Sequence, residues 1–283
     1  MSESSSKINS GRKLFFGLFV FPLLIAVGMA ILLCSVVLLT HEQQTPESLI
    51  EAIKTGSPTK RWEKAFELSN ELNTNKASLR SEGVLKEIIY ILRDPAHYDS
   101  KTRAYMAVAL GHFHEPESVE ALKKSLKDGS EDVELYALWS LGVLRANEAT
   151  PDILPFLKNE SPEARKMSAY VLGAIGNRAT VKNLKALLND TVADVRWNAA
   201  LGLARLGDDA GLEILEKMLD RNSLSNDYKM REWEIEALMI NATKGLALIK
   251  RPESIKILKT VSQGDKNLKV RQAAMAALET LRL

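Results

Sequence analysis

The chain has 283 residues, of which 46% are hydrophobic, and its 38 Lys and Arg against 36 Asp and Glu give a formal net charge of +2. This length accommodates one or two ordinary domains or one elongated repeat array. The near balance of charges gives no support for non-specific binding to nucleic acid, which needs a concentrated basic face. The single cysteine, Cys34, leaves no disulfide and no Cys-based metal site in the rest of the chain.

The N-terminal part of the sequence predicts a membrane anchor. Residues 1–13 are polar, and residues 14–39 carry no charged side chain over 26 positions. A transmembrane helix needs about 20 predominantly apolar residues, so we expect a cytoplasmic tail, one spanning helix and a linker at 40–46. A cleaved signal peptide and a lipoprotein attached through Cys34 are the alternatives. The basic residues before the run favour a cytoplasmic N-terminus, with the reverse orientation as the alternative. We therefore predict a single-pass protein of a bacterial inner membrane, with its larger part on the non-cytoplasmic side.

One pattern then recurs along the chain at a constant interval. Its members are Leu110-Gly111, Leu141-Gly142, Leu172-Gly173 and Leu203-Ala204, preceded at a fixed distance by Arg103, Glu134, Arg165 and Arg196. Self-similarity at a period of about 31 residues indicates a stacked repeat array. Apolar residues three and four positions apart, as in Val119, Leu122 and Leu126, indicate helices whose apolar stripe needs a neighbouring unit to cover it.

Each unit is interpreted as helix A, a tight turn and helix B, which makes the predicted fold class all-α. Residues 47–283 are expected to form about six to seven such pairs. The predicted helices include 47–55, 60–72, 79–92, 99–113, 116–127, 131–145, 150–158, 162–175, 179–188, 193–206, 252–261 and 268–283. About 12 extra residues break the period between Leu219 and Leu238. This insertion near 221–236 is either a tolerated surface loop or part of a binding face.

The sequence blocks 163–176 and 194–207, which cover two predicted B helices, resemble HEAT repeats of the short bacterial type also seen in phycobilin lyases. The resemblance covers about residues 79–283, and 47–72 more weakly, and it implies a right-handed α-solenoid of helical hairpins. HEAT families place an Asp in the turn between the helices and an Arg six residues later. By this resemblance, the Arg of one unit binds the turn of the next, so that Arg103 meets Asp128 and Arg165 meets Asp190. The positions assigned to these structural contacts are Arg103, Asp128, Arg165, Asp190, Arg196, Asp265 and Arg271.

The sequence offers little for catalysis. His97, His112 and His114 could hold zinc, but positions 112 and 114 of a helix point to different sides. The carboxylates at 208–209 and at 232, 234 and 236 are expected at solvated helix ends and faces. We therefore predict no catalytic residue, no metal site and no cofactor.

A stripe about 100° from the core face of the B helices is the predicted contact surface for a protein partner. It contains Tyr105, His112, Tyr136, Met167, Asn198 and Arg205. B helices commonly line the concave side of a solenoid, and Tyr, Met and Arg are enriched in interfaces. Packing between repeats is the alternative for this stripe. Trp139, Tyr170 and Trp197 are expected to pack between units.

The predicted function is a membrane-anchored, non-enzymatic scaffold or adaptor that binds an unknown protein partner at the cell envelope, without nucleic acid. The alternative is a lyase-like or chaperone-type HEAT protein that acts on a partner protein. A purely structural spacer is a third possibility. The resemblance is specific for the fold and carries little information on function.

Overall fold

The computed structural model describes residues 20–40, 45–73 and 80–281. Within these ranges the regular secondary structure is helical and contains no strand. The chain divides into two compact units, Met1–Thr45 and Pro46–Leu283.

The N-terminal unit contains one described helix, α1 (Phe21–Thr40). In the part of the chain that the structure describes, no helix is both long and apolar enough to cross a membrane. This finding contradicts the predicted spanning helix at 14–39 and the single-pass membrane location. The side chains on α1 are described for residues 21–33 and 35. The prediction rested on the uncharged run from Leu14 to Leu39, part of which lies outside the described residues. The predicted tail at 1–13 and most of the predicted linker lie outside the described residues.

The larger unit is a succession of helical hairpins, as the repeat period predicted. The A helices are α2 (Pro46–Thr55), α4 (Glu82–Leu92), α6 (Pro116–Ser125), α8 (Thr150–Ile153), α10 (Val181–Ala186), α12 (Leu212–Lys217) and α15 (Pro252–Gly264). The B helices are α3 (Pro58–Leu72), α5 (Ser100–Leu110), α7 (Glu131–Val143), α9 (Pro162–Ile175), α11 (Ala193–Arg205), α14 (Glu232–Ile249) and α16 (Leu268–Leu281). The short helix α13 (Arg221–Asn226) lies in the insertion.

Local sequence explains where these helices begin and why some A helices are short. The Asp99 carboxylate accepts a hydrogen bond from the backbone N–H of Thr102 at 3.0 Å and caps α5. Pro162 occupies the first position of α9, where no N–H is required. Helix α8 has only four residues and continues as a 3₁₀ helix over Leu154–Lys158. Pro155 lies in this segment and lacks the N–H that an α-helix would use there.

Consecutive B helices pack closely because small residues face one another. A Cβ atom added to Gly173 of α9 would lie 2.5 Å from the Cα of Gly202 in α11. Earlier in the array, the Ser140 hydroxyl of α7 donates to the carbonyl of Ala107 in α5 at 2.8 Å. These contacts bring neighbouring helix backbones together and bury the apolar stripes between them. One core cluster extends from Leu49 to Leu206 and a second from Trp197 to Ala277, so both include residues of α11.

Candidate functional site

Two inter-repeat ion pairs link consecutive turns of the array. Arg103 on α5 forms an ion pair with Asp128, which lies in the turn of the following unit. Arg165 on α9 binds both carboxylate oxygens of Asp190, with Nε–Oδ2 at 2.8 Å and Nη2–Oδ1 at 3.1 Å. The hydrogen bonds from Arg165 hold the pKa of Asp190 below its usual range, against the opposing effect of burial. These four side chains are mostly buried, so they belong to the structure of the stack.

The two other Arg residues of this series bind their own turns. The Arg196 guanidinium donates from Nη1 to the carbonyls of Asp190 at 2.7 Å and Thr191 at 3.0 Å. Arg271 donates to the carbonyl of Asp265 at 2.7 Å. In each case the guanidinium closes the connection between helix A and helix B of one unit.

The insertion supplies a different ion pair. One repeat period after Asp190 the chain holds Arg221 in place of an acidic residue. Its Nη2 lies 2.8 Å from Oδ1 of Asp265, and its Nη1 bonds Glu232 at the start of α14. Tyr228 packs edge-on against Trp197 of α11, with ring centroids 5.3 Å apart. The insertion is therefore attached to the units on both sides of it.

An aromatic row crosses three B helices on the side that carries the predicted stripe. The rings of Phe66 on α3 and Tyr105 on α5 have centroids 5.4 Å apart, and Tyr105 lies 6.0 Å from Tyr136 on α7. Phe66 and Tyr136 remain 45% and 38% exposed, whereas Tyr105 is partly buried between them. Burial raises the pKa of Tyr136, with a further contribution from Tyr105. The repeat period does not identify Phe66, because this residue precedes Tyr105 by more than one period.

Beyond Tyr136, the predicted stripe contains residues that are not aromatic. Met167 on α9 is partly exposed and packs against the main core. Asn198 on α11 donates from its side-chain amide to the carbonyl of Asp194 at 2.8 Å. The described stripe thus changes from aromatic to polar along the stack.

A shallow groove of about 500 Å³ lies over the C-terminal ends of α7, α9 and α11. We call it the central groove, and its side chains include Val143, Arg145, Tyr170 and Arg205. The Arg205 guanidinium lies over the ring of Tyr170 at 4.8 Å. Tyr170 is 37% exposed, and the prediction that it packs between units did not anticipate a groove at this position. A cation–aromatic contact of this kind holds the Arg side chain at the surface while its outer N–H groups stay accessible.

His112 belongs to the predicted stripe but is not among the residues of the aromatic row or of the central groove. It is half-buried, and burial followed by the charge of Arg80 lowers its pKa. The neighbouring Phe113 is in the core, and His97 bonds Asp94 through Nδ1 at 2.7 Å. Among the described residues there is no group of three His, Cys, Asp or Glu side chains that could hold a metal ion.

Of the five carboxylates expected at solvated helix ends and faces, Glu234 pairs with Arg231 at the start of its own helix, and the other four pair with residues of other helices or turns. Three of these ion pairs are Asp208 with Lys185 at 2.8 Å, Asp209 with Arg251 at 2.5 Å and Glu236 with Lys269 at 2.8 Å. For Asp208, burial raises the pKa and the bond from Lys185 lowers it, with a net lowering. These groups serve as bridges between neighbouring units.

Comparison with known proteins identifies the fold. The model of the HEAT-repeat family matches residues 85–159 and 150–239, which together exceed half of the chain. The chain is similar to a chain in the complex of CpcE and CpcF of phycocyanin lyase from Nostoc sp. PCC7120. That likeness has 20% identity, a TM-score of 0.58 and coverage of 86% of this chain and 96% of the other. It is also similar to Escherichia coli YibA, with 15% identity, a TM-score of 0.51 and coverage of 84% and 93%.

A comparison with curated protein sequences gave no significant match. At identities this low, the structural likenesses show the fold alone. The repeat period, the stacked hairpins and the family match agree, and the predicted resemblance to HEAT repeats is confirmed: the chain belongs to the family of HEAT-repeat proteins.

Proposed function

We propose that the protein is a non-enzymatic scaffold that binds a protein partner along the exposed side of its B helices. The observation that carries this proposal is the aromatic row of Phe66, Tyr105 and Tyr136, which stays partly open to solvent. Aromatic and Arg side chains are the commonest anchors of protein interfaces. In this row the rings are already held by one another, so binding would cost little side-chain entropy.

A second candidate function follows from the likeness to a chain of the phycocyanin lyase complex. A lyase-like protein would act on its partner covalently and would need convergent polar groups in a pocket. In the groove beside Tyr170 and Arg205, a guanidinium and a phenol come together. We favour the scaffold, because a stacked cation and ring form a recognition contact without a positioned nucleophile or base.

Capture of partners by the full-length chain tests the proposal. The variant combines Tyr136→Ala, Met167→Ala, Asn198→Ala and Arg205→Ala on the B-helix stripe. The matched control combines Lys124→Ala, Lys182→Ala, Glu216→Ala and Lys256→Ala, all exposed residues of A helices. Proteins bound by the wild type and the control should be lost from the stripe variant.

Thermal unfolding of both variants ensures that the comparison is made between folded proteins. Equal capture by the wild type and the stripe variant would overturn the proposed surface. Intact-mass measurement of each captured partner separates the two functions, because a covalent change made by this chain would favour the lyase-like alternative.

A further inference from the structure

Four B helices of the array end in the same backbone conformation but with different residues. A residue just beyond the helix has a positive φ at Arg145 (50°), Gly176 (87°), Gly207 (72°) and Lys250 (56°). The first three are separated by one repeat period each, and Lys250 follows Gly207 by the longer interval that includes the insertion. These four residues are therefore equivalent positions of the repeat.

Glycine is the usual residue at such a helix end, because a side chain is strained at positive φ. The same hydrogen bond closes the turn with either residue. Ala146 N–H donates to the Leu141 carbonyl at 3.0 Å after Arg145, and Asp208 N–H donates to the Leu203 carbonyl at 2.9 Å after Gly207. The turn itself thus needs no side chain at this position. A non-glycine residue at a positive φ is therefore a reason to look for a use of its side chain.

Both basic residues line grooves on the B-helix side. Arg145 lines the central groove together with Arg205. Lys250 and Lys244 line a second groove of about 420 Å³ between α14 and α16, which we call the C-terminal groove. Leu248 in this groove follows Arg205 by the same longer interval, so the two grooves occupy equivalent places in the repeat.

The cations in these grooves are not neutralised. Arg145, Lys244 and Lys250 make no side-chain hydrogen bond or ion pair with any other residue that the structure describes, and Arg205 lies on Tyr170. No Asp or Glu side chain is among the described residues that line either groove.

A groove on the A-helix side differs in charge. It has a similar volume of about 480 Å³ but is lined by Glu216, Asp220 and Glu253 together with Lys256. The two B-helix grooves thus carry positive charge that no acidic lining residue neutralises, whereas the A-helix groove does not. Complementary charge helps to select the partner that binds at such a surface.

Apolar side chains lie beside the cations. Val143 and Tyr170 in the central groove are 43% and 37% exposed, and Leu248 in the C-terminal groove is 48% exposed. An occupant must therefore supply both negative charge and apolar groups. A nucleic acid fits less well, because its binding relies on a dense basic surface, whereas each groove holds two cations among apolar residues.

We propose that the central and C-terminal grooves bind an acidic segment of a protein partner, in which carboxylates alternate with apolar or aromatic residues. This inference rests on the proposed function and names the chemistry of its partner. The carboxylates pair with Arg145 and Arg205 in one groove and with Lys244 and Lys250 in the other. The apolar residues of the segment cover Tyr170 and Leu248.

The test uses the full-length chain and a fluorescein-labelled peptide of alternating Glu, Leu and Tyr residues, read by fluorescence anisotropy. A peptide with Gln in place of Glu and a labelled single-stranded oligonucleotide are the competing probes. We expect Arg145→Gly and Lys250→Gly each to weaken the binding of the Glu peptide by about tenfold, since each removes one charge-assisted contact. Each change should also raise the Tm by about 2–4 °C, because it relieves strain at a helix end.

Lys229→Gly is the matched control. Lys229 also has a positive φ, of 53°, but it lies in the insertion and lines neither groove. It should show the same gain in Tm with unchanged peptide binding. At Arg145 and Lys250, the change to Gly should therefore raise the Tm and weaken peptide binding. A merely structural role of these side chains would not produce that combination.

Equal affinity for the Glu and Gln peptides, absence of binding to the Glu peptide, or a preference for the oligonucleotide would each overturn the inference. Unchanged peptide affinity in Arg145→Gly and Lys250→Gly would also overturn it. If partner capture still depends on the B-helix stripe in that case, the proposed scaffold function stands and only the chemistry assigned to its partner is wrong.

Discussion

The regular part of the array, from α6 to α11, and the part that contains the insertion, from α12 to α16, link their units in different ways. In the regular part, Arg165 reaches an acidic residue 25 positions later, in the next turn. In the irregular part, Arg221 stands where the period would place an acidic residue, and it reaches Asp265, 44 positions later. The Arg lies on a B helix in the regular part and at a turn position in the irregular part, yet a buried Arg–Asp pair links units in both parts.

Contact between units is thus retained where the sequence period is not. The insertion lengthens the path between successive B helices, and the ion pair spans this longer path from Arg221 at a turn position instead of from an Arg on a B helix. The regular part has its own exception at Glu134, whose carboxylate accepts from the N–H of Gly129 at 3.0 Å. There the acidic side chain stabilises its own turn, and the Glu131 carboxylate contacts Ser161 of the next one.

The largest effects are expected when the ion pair is removed from either part. Arg165→Ala and Arg221→Ala should each lower the free energy of unfolding by about 3 kcal/mol, because each leaves a buried carboxylate without its cation. Urea denaturation of the two variants and the wild type measures this. Similar losses would mean that the displaced pair in the insertion replaces the regular one.

The control for this pair of variants is Lys86→Ala, which removes an exposed ion pair with Glu82 on one helix. Its unfolding midpoint should equal that of the wild type, since exposed pairs contribute little. A loss in Arg221→Ala no greater than in this control would show that the insertion is attached by other contacts.

A second change tests the close packing of the regular part. Gly173→Ala should lower the free energy of unfolding by about 2 kcal/mol, since the new Cβ meets the backbone of Gly202, which has no flexible side chain to move aside. The control is Gly264→Ala at the end of α15, where no atom lies within 4 Å of an added methyl group. Thermal denaturation should show a lower Tm for the first variant only, and equal Tm values would contradict the assigned contact.

The smallest expected effect is a dependence on pH at the regular pair. The pKa of Asp190 is lowered in the folded chain, chiefly by Arg165. Its contribution to stability is therefore complete above the unfolded-state pKa of about 3.9 and is lost as the pH falls through the lower folded-state pKa. Asp190→Asn should cost about 1–2 kcal/mol at neutral pH, and the difference from the wild type should shrink in acid. A difference that stays constant down to the lowest pH at which both proteins fold would rule out this linkage.

The sequence by itself determined the repeat architecture. Side chains three and four positions apart define the buried stripe of each helix, and that stripe returns at a constant period, so helices and their order follow from local pattern. The HEAT family and most helix ends could be predicted in this way. Near the N-terminus the same local count predicts a spanning helix, and this prediction is wrong, because the described part of the chain contains no helix long and apolar enough to cross a membrane.

Only the tertiary structure decided which side chains form the candidate surface. Tyr170 is a large aromatic residue of the kind often found in a core. Its exposure, however, depends on the glycines and on Arg205 of neighbouring helices. Phe66 contacts Tyr105 of the aromatic row although the two residues are not one repeat period apart. Arg221 forms an ion pair with Asp265 on the other side of the insertion. Residues of other units determine how exposed a side chain is and which residue it contacts. The periodicity within one helix therefore cannot predict either property.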